Sequence, residues 1–301
     1  MKARTPFLLA LLIVSATGMA ARANPAPAAA RPLFDGQRAW KHLEAQLAFG
    51  PRCPGCPGHA RTRAWLVKEL RALTPRVTVD EFTGSLDGKP VKLFNIIADI
   101  GPAGPRPILL GAHWDTRPWA ERDPDPARRN TPIPGANDGA SGVAVLLEVA
   151  RVVRPNVPVR LVFFDGEDLG QGYDGFFQGS RRFADRLGAN KPRWGLIVDM
   201  VGDADLRIEK EEFSRHMAAA VVERVWNEAS RSGYARYFKD NPGPRIFDDH
   251  WPLLNAGVQV ADLIDFDYPW WHTTYDTAER CSPASLEVVG RVVVGVVEAE
   301  R

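Results

Sequence analysis

Cysteine is scarce in this sequence, and its distribution argues against two common kinds of site. The 301 residues include three cysteines, two of them in the motif Cys53-Pro54-Gly55-Cys56. A zinc site built from cysteines would need a second such pair, and a thioredoxin-like site would need a βαβ context that is missing here. In an exported protein the pair could close a small disulfide loop. We expect a structural or incidental role for it and an unpaired Cys281.

The sequence also lacks an excess of charge of one sign. It contains 38 Lys and Arg residues against 37 Asp and Glu residues. No basic run of the kind that binds phosphate backbones is present, so we expect no nucleic-acid partner. The apolar fraction of 45% and the charged fraction of 25% are those of an ordinary globular protein.

The apolar run at the start of the chain is too short to be a stable membrane span. Residues 7–14 are apolar, Lys2 and Arg4 precede them, and Ala21-Arg22-Ala23 follows. This order is typical of a secretory signal peptide with a small-residue cleavage site. We therefore predict a signal peptide over residues 1–23, a disordered spacer rich in Ala and Pro over 24–32, no stable membrane anchor, and a secreted or periplasmic protein.

Beyond the spacer, helical and strand patterns alternate along the chain. Helical spacing of apolar residues predicts helices over residues 35–49, 59–73, 143–151, 177–187, 214–232 and 285–298. Apolar runs predict strands over residues 77–82, 91–100, 107–113, 159–164, 194–198 and 257–264. This alternation predicts an α/β layered fold with a largely parallel central sheet. Because no internal repeat or linker follows Pro32, we expect residues 33–301 to form one domain.

A glycine-rich turn, residues 134–142, presents a single carboxylate, Asp138, directly before a helix. Gly139 and Gly142 allow a tight turn and leave room beside that carboxylate. The preceding segment, residues 114–137, has no regular pattern, and loops of this length inside a domain are usually functional or disordered. Two interpretations of Asp138 remain at this point, a metal ligand or a helix N-cap.

Residues able to bind a metal follow several of the predicted strands. In open α/β sheets the ligand crevice lies beyond the carboxyl ends of the strands, so these side chains have a common place to meet. With the carboxylate of the turn, the set is His113, Asp138, Glu167, Asp168, Asp199 and His272. A mixture of imidazoles and carboxylates without cysteine suits zinc of the hydrolytic kind.

Glu167 and Asp168 are adjacent, and neighbouring side chains in extended backbone point to opposite sides. One of them is therefore better suited to bind the ion and the other to act as a free acid or base beside it. Asp115, two residues after His113, could orient that imidazole. The alternative for His113 is a hydrogen-bonded histidine at a strand end with no metal.

Together these motifs resemble the bacterial-type zinc aminopeptidase family across most of the chain after residue 40. Within that family the chain looks most like the glutaminyl-peptide cyclotransferases, or glutaminyl cyclases. The resemblance rests on the following segments: His113-x-Asp115, the turn 135–142, residues 163–168, Asp199, Asp248-Asp249-His250-x-Pro252 and Trp271-His272-Thr273.

The resemblance implies a fold, a site and a reaction. The fold would be a three-layer α/β sandwich with a mostly parallel, mixed central sheet. Asp138, Asp168 and His272 would hold one zinc, and Glu167 would shuttle a proton within a network that includes the carboxylates of Asp199 and Asp248. The substrates would be peptides or proteins with an N-terminal glutamine, which becomes pyroglutamate with loss of ammonia. Trp271 matches a tryptophan that lines the substrate pocket of the cyclases.

The chain departs from animal cyclases at three positions. Asp168 stands where they carry glutamate, and Asp262 stands where they carry histidine. Their tryptophan in the loop after the catalytic glutamate has no clear match, and Tyr173 lies nearest. Simpler interpretations also remain, in which Trp270 and Trp271 are core aromatics and the Asp248-Asp249 pair caps a helix that starts near His250.

Two other functions stay open on the sequence alone. A zinc aminopeptidase of the same fold could use His113 and Asp199 for a second metal, with Glu167 activating a water. A binding domain on a degenerate peptidase fold would have no activity, but the complete ligand set argues against it.

Overall fold

The computed structural model describes Met1, residues 33–172 and residues 175–301. Apart from Met1, the predicted signal peptide and the predicted spacer lie outside the described residues, as does Tyr173. Among the residues that the structure describes, no helix is both long and apolar enough to span a membrane. Contacts group the described residues from Leu33 to Arg301 into one unit.

Helices and strands alternate through this unit. The helices are α1 (Gly36–Ala48), α2 (Pro57–Leu73), α3 (Ala140–Val152), α4 (Gln178–Asp185), α5 (Glu212–Met217), α6 (Ala219–Arg231), α7 (His250–Asn255) and α8 (Pro283–Glu298). The strands are β1 (Val77–Leu86), β2 (Lys89–Ile100), β3 (Ile108–His113), β4 (Val159–Phe164), β5 (Gly195–Asp199), β6 (Ile208–Lys210), β7 (Phe238–Pro242) and β8 (Val260–Ile264).

The main sheet is mixed, with four parallel strands beside an antiparallel hairpin. Its strand order is β1-β2-β4-β3-β5-β8. Strands β4, β3, β5 and β8 pair in parallel, whereas β2 pairs with β1 and β4 in antiparallel fashion. Because the four parallel strands run in one direction, their carboxyl ends meet at one edge of the sheet.

Helices cover both faces of this sheet, which explains why its central strands are continuously apolar. Along β4, Leu161 and Phe163 join the core cluster that contains the apolar residues of α1, α3, α6 and α8. Val162 and Phe164, which point to the opposite face, join the cluster that contains residues of α4 and α7. The period of two in side-chain direction thus produces a three-layer α/β sandwich, as predicted.

The structure differs from the sequence prediction in one helix and one small sheet. The predicted helix 214–232 is two helices, α5 and α6, because Ala218 between them has φ −136° and ψ 35°, outside the helical region. Strands β6 and β7 form a separate two-stranded parallel sheet that the apolar pattern did not indicate. Both the helix break and the small sheet lie within residues 208–242, which precede Asp248 in the sequence.

The cysteines are arranged as the motif suggests. Cys53 and Cys56 form a disulfide whose Cα atoms are 5.3 Å apart. Cys281 is buried and unpaired. The disulfide closes the turn between α1 and α2, directly after Arg52.

Candidate metal centre and pocket

The carboxyl edge of the sheet brings the predicted ligand residues together. His113 is the last residue of β3, Asp199 is the last residue of β5, and Asp168 follows β4 after a short turn. The loop after β8 carries His272, and the turn before α3 carries Asp138. These five side chains form two groups that could each hold a metal ion, and the groups share Asp138.

The first group consists of Asp138, Asp168 and His272, whose ligand atoms all lie within 4.8 Å of one another. The His272 Nε2 atom is 3.2 Å from Asp168 Oδ1 and 3.6 Å from Asp138 Oδ2. The Oδ2 atoms of both aspartates are buried and have no hydrogen-bond partner among the described residues. Two buried carboxylates with free oxygens and one imidazole match the needs of a divalent cation.

The second group consists of His113, Asp138 and Asp199. The His113 Nε2 atom lies 3.1 Å from an oxygen of each aspartate. Burial lowers the pKa of His113, but the carboxylates of Asp199, Asp115 and Asp138 outweigh it and raise the pKa well above 6.5. The acids therefore favour positive charge at this position, whether carried by the imidazole or by a second cation.

The turn that presents Asp138 is not a side-chain cap. Gly139 occupies the N-cap position of α3 and no side chain caps the helix, so the capping interpretation of Asp138 is wrong. Gly139 has φ +94°, and a Cβ there would lie 2.9 Å from His113 Cε1. A Cβ on Gly142 would lie 2.0 Å from the carbonyl oxygen of Val198. The two glycines are required by backbone geometry and by close packing against β3 and β5.

Two buried charged residues hold this turn, and the sequence pattern did not single them out. Arg52 donates hydrogen bonds to the carbonyl oxygens of Trp114, Pro134 and Gly135 at 3.0, 3.0 and 2.6 Å. Asp276 accepts hydrogen bonds from the backbone amides of Asn137 and Asp138. Burial lowers the pKa of Arg52 to about 10, so the guanidinium stays charged at neutral pH.

Asp115 makes further contacts besides the one with His113 that was predicted for it. Its Oδ1 atom is 3.6 Å from His113 Nδ1, which has no hydrogen-bond partner among the described residues, so the expected orientation of that imidazole by Asp115 stays a prediction. Its two carboxylate oxygens also accept hydrogen bonds from the backbone amides of Glu167 and Asp168, at 3.2 and 3.3 Å. Asp115 therefore fixes the turn after β4 that presents both acids.

His272 is oriented by a carboxylate from the long loop. Its Nδ1 atom lies 2.6 Å from Glu121 Oε1, and Arg117 bridges Glu121 to Asp168. Burial lowers the pKa of His272, but Asp168 and Glu121 outweigh it and raise the pKa to about 9. Burial raises the pKa of Glu121, but the hydrogen bonds from His272 and Arg117 bring it down to about 2. A carboxylate behind a histidine fixes its tautomer and makes it a stronger metal ligand.

Glu167 lies beside the first group with no assigned ligand role. It lines the pocket above the metal groups and is 8% exposed. Burial, followed by the charge of Asp168, raises the pKa of Glu167 well above 4.5, and His113 offsets only part of this. An acid whose proton affinity is raised in this way is suited to accept and return a proton near neutral pH.

Asp248 reaches the same pocket from the segment before α7. Burial and the charge of Asp199 raise the pKa of Asp248 to about 6. Asp249 occupies the N-cap position of α7, but its side chain makes no capping hydrogen bond. The capping interpretation is therefore wrong for the Asp249 side chain, whereas Asp248 Oδ1 accepts a hydrogen bond from the backbone amide of Asp249 at 2.5 Å.

The pocket has a volume of about 300 Å³, and both acidic side chains and aromatic rings line it. Trp271 is part of the wall, and its ring centroid is 3.9 Å from that of His272. Trp270 packs instead beneath the Arg280 guanidinium. Tyr173 lies outside the described residues, and the neighbouring Phe176 lines the pocket.

Three pocket-lining residues that are not glycine have a positive φ. His272 has φ +55°, Phe177 has φ +59° and Met200, which follows Asp199, has φ +45°. Such conformations are uncommon for residues with a side chain and cluster at functional sites. At His272 this conformation coincides with an imidazole whose Nε2 atom lies close to Asp138 and Asp168.

A mixed α/β sheet with imidazole and carboxylate groups at its carboxyl edge defines a metal-dependent enzyme of the α/β class. The profile of Peptidase family M28 matches residues 95–297, and the chain belongs to this family. The predicted zinc aminopeptidase family and the predicted fold are thereby confirmed.

Several solved structures and curated relatives within this family are similar to the chain. Tannerella forsythia glutaminyl cyclase is 36% identical, with a TM-score of 0.86 over 90% of this chain and 100% of that chain. A leucine aminopeptidase precursor from Bacteroides thetaiotaomicron is 35% identical, with a TM-score of 0.86 over 90% and 99% of the two chains. A mouse glutaminyl-peptide cyclotransferase-like protein is 28% identical over 295 residues, which cover 86% of this chain and 74% of the relative.

Proposed function

We propose that this chain is a glutaminyl cyclase that converts the N-terminal glutamine of peptides and proteins into pyroglutamate and releases ammonia. The observation that carries the proposal is a free buried acid, Glu167, beside a complete three-residue ligand group in a pocket of about 300 Å³. Glutaminyl cyclases among the similar sequences and structures support it.

We propose Asp138, Asp168 and His272 as the ligands of one zinc ion. Their unpaired buried oxygens and single imidazole suit that ion. When bound there, zinc supplies positive charge that polarises the γ-carbonyl of the glutamine side chain. Glu121 holds His272 in position for this task.

Glu167 performs the proton transfers in this proposal. It accepts a proton from the α-amine as the amine nitrogen forms a bond to the carbonyl carbon of the side-chain amide, Cδ. It then returns that proton to the departing nitrogen as the carbon–nitrogen bond of the side-chain amide breaks, which yields ammonia. Both reacting groups belong to one glutamine residue, so the pocket needs only to hold them in contact.

The remaining predicted residues surround these groups. We assign Asp199 and Asp248 to the network of acids around Glu167. The charge of Asp248 acts on Glu167, and the charge of Asp199 acts on Asp248. Trp271 lines the pocket proposed for the glutamine side chain. We keep Tyr173 as a second candidate substrate-binding residue on the resemblance of the sequence alone.

We further propose that residues 33–301 are the catalytic domain of an exported protein. Removal of residues 1–23 as a signal peptide leaves the spacer 24–32 at the start of the mature chain. Expression in a bacterial host followed by N-terminal sequencing of the exported protein should give Asn24 as the first residue. An uncleaved chain retained in the cytoplasm would contradict this proposal.

The decisive experiment uses the purified protein and a short peptide that begins with glutamine. We expect release of one ammonia per peptide and a product whose N terminus is blocked to Edman degradation. A matched peptide that begins with asparagine serves as the control and should not react at a comparable rate. Release of free amino acids would show that the protein is a peptidase.

A zinc aminopeptidase is the second candidate, and the group of His113, Asp138 and Asp199 is the observation that favours it. His113, Asp138 and Asp199 would hold that metal, which would supply a second positive charge, and Glu167 would then act as the base that activates a water. Metal analysis of the purified protein separates the two functions. One zinc per chain supports the cyclase, and two support the aminopeptidase.

A further inference from the structure

A buried pair of histidine and aspartate lies at the base of the turn that presents Glu167 and Asp168. The His59 Nε2 atom is 3.0 Å from Asp165 Oδ1 and 2.9 Å from Asp165 Oδ2. Asp165 is fully buried, and His59 is 6% exposed. Because a carboxylate oxygen can only accept a hydrogen bond, the imidazole carries its proton on Nε2, and a neutral ring is sufficient for this contact.

The carboxylate of Asp165 joins this imidazole to the start of the turn. Its Oδ2 atom also accepts a hydrogen bond from the backbone amide of Phe94 on β2, at 2.7 Å. The backbone amide of Asp165 donates to Asn95 Oδ1 at 3.2 Å. Burial raises the pKa of Asp165 to about 6, and the hydrogen bond from His59 is the strongest effect in the opposite direction. His59 therefore compensates a carboxylate that is costly to bury without a partner.

The imidazole is itself held in place by its surroundings. His59 lies in the first turn of α2, and its backbone amide donates to the carbonyl oxygen of the N-cap residue, Cys56, at 3.1 Å. Cys56 forms the disulfide with Cys53. The ring stacks on Trp114, with centroids 4.5 Å apart and an angle of 21° between the planes. A donor fixed by a helix start, a disulfide and a ring contact can hold a second residue precisely.

Asp165 lies two residues before Glu167, and the chain between them makes a tight turn. Gly166, in the middle, has φ +75°. Glu167 is held through its backbone, because its amide donates to Asp115 Oδ1 and its carbonyl oxygen accepts the amide of Phe177. A displacement of Asp165 is therefore passed through two peptide units to the Glu167 side chain.

Asp168, the proposed metal ligand on the same turn, has a support of its own. The Arg117 Nη1 atom donates to the Asp168 carbonyl oxygen at 3.1 Å and to Asp168 Oδ1 at 3.2 Å. This contact does not involve His59 or Asp165. Loss of the His59 hydrogen bond should therefore displace the Glu167 carboxylate more than the metal ligand.

We propose that His59 is a positioning residue for the cyclisation, because its hydrogen bond to Asp165 fixes the turn that directs the Glu167 carboxylate at the substrate amine. A general base must lie within hydrogen-bond reach of the proton that it accepts, so its placement affects the rate. This inference rests on the proposed function. It gives a role in the reaction to a side chain of α2 that lies outside the pocket lining described above.

The test compares His59→Leu and His59→Gln with the wild-type enzyme. We expect His59→Leu to lower kcat about ten- to hundred-fold, since a misplacement of about 1 Å costs up to roughly 10²-fold in rate. KM should stay nearly unchanged, and the zinc content should equal that of the wild type. Glutamine places an amide nitrogen near the position of the imidazole Nε2 atom, so His59→Gln should recover most of the lost kcat.

His42→Leu is the matched control. His42 also packs against a tryptophan, Trp65, but on α1 and α2 rather than at the turn. Its replacement should leave kcat at the wild-type value, and a loss as large as that of His59→Leu would overturn the inference. The Asp165→Asn background supplies a second readout. Because His59 acts through Asp165, His59→Leu should have little further effect there, and multiplicative losses of kcat would contradict this.

Three further outcomes would overturn the inference. These are a folded His59→Leu enzyme with wild-type kcat, a His59→Gln enzyme as slow as His59→Leu, or loss of bound zinc in either variant. If His59→Leu does not fold, Asp165→Asn, which keeps the side-chain volume, takes its place. A lower kcat at wild-type zinc content in that variant supports the inference, and a wild-type kcat refutes it. A wild-type protein that releases no ammonia refutes the proposed function, whereas an active enzyme with unaffected variants refutes only this inference.

Discussion

Replacement of Arg52 by methionine tests whether one buried side chain holds the metal-binding turn. The guanidinium lies at zero exposure and donates to three carbonyl oxygens within 3.0 Å. Methionine fills much of the same volume but donates nothing, so those oxygens lose a partner at roughly 1–3 kcal/mol each. Removal of the buried charge recovers part of this cost, and we expect a net loss of about 3–5 kcal/mol.

Urea unfolding followed by tryptophan fluorescence measures this loss, and chelator competition measures zinc affinity in the same samples. Both should fall, because the turn that Arg52 holds is the one that presents Asp138. Arg71→Met, at an exposed position of α2, is the control and should stay within about 0.5 kcal/mol of the wild type. An Arg52→Met protein of wild-type stability and wild-type zinc affinity would show that the turn does not depend on the guanidinium.

Four further substitutions test other parts of the site and fold. Glu167→Gln should lower kcat by about 10²–10⁴-fold, because an amide cannot accept the amine proton. Metal analysis of this variant should find the wild-type zinc content. Loss of zinc would show that Glu167 is a ligand. Glu121→Gln should weaken zinc binding about 10–100-fold in chelator competition, because it removes the carboxylate behind His272, and an unchanged affinity would contradict that role. Gly139→Ala should destabilise the protein by roughly 1–3 kcal/mol in urea unfolding. The φ of Gly139 is +94°, and a Cβ at this position would lie 2.8 Å from a backbone oxygen. Wild-type stability of the variant would contradict the packing argument. Burial raises the pKa of Asp265 from 3.8 to about 7, so the folded state holds a proton that the unfolded chain releases. The contribution of this carboxyl group to stability should therefore fall as pH rises from about 4 to 7. Asp265→Asn should remove a slope of up to about 1.4 kcal/mol per pH unit, measured by unfolding at a series of pH values, and parallel pH curves for the two proteins would refute the assignment.

The sequence predicted the main elements of the fold and the members of the two metal groups for a single physical reason. Parallel strands place their carboxyl ends at one edge, so polar residues that follow such strands must meet there. This rule requires only local apolar patterns, which are strong in β3, β4 and β5. His113, Asp168 and Asp199 followed from it directly.

The supporting residues could not be found in this way, because their partners are remote in sequence. Glu121 contacts a histidine 151 positions away, and Arg52 contacts a carbonyl 83 positions away. Neither lies in a periodic segment. The one available signal for Glu121 was its place in the long irregular loop before the glycine turn, which indicated function without indicating a partner.

The predicted helix 214–232 shows a different limit. Its apolar period continues across the break at Ala218, so the pattern alone gave no sign of two helices. Glu211 begins the first of them by accepting the amides of Phe213 and Ser214. The same carboxylate faces His250, and that tertiary contact is not encoded in any local periodicity.

Asp138 belongs to both groups of candidate ligands, with Asp168 and His272 in one and His113 and Asp199 in the other. A substitution of this single aspartate would remove a donor from both groups at once, whereas a substitution of His113 or Asp199 would change only the second. The two positions are therefore linked through one side chain, and the glycine turn that carries it sets the geometry of both.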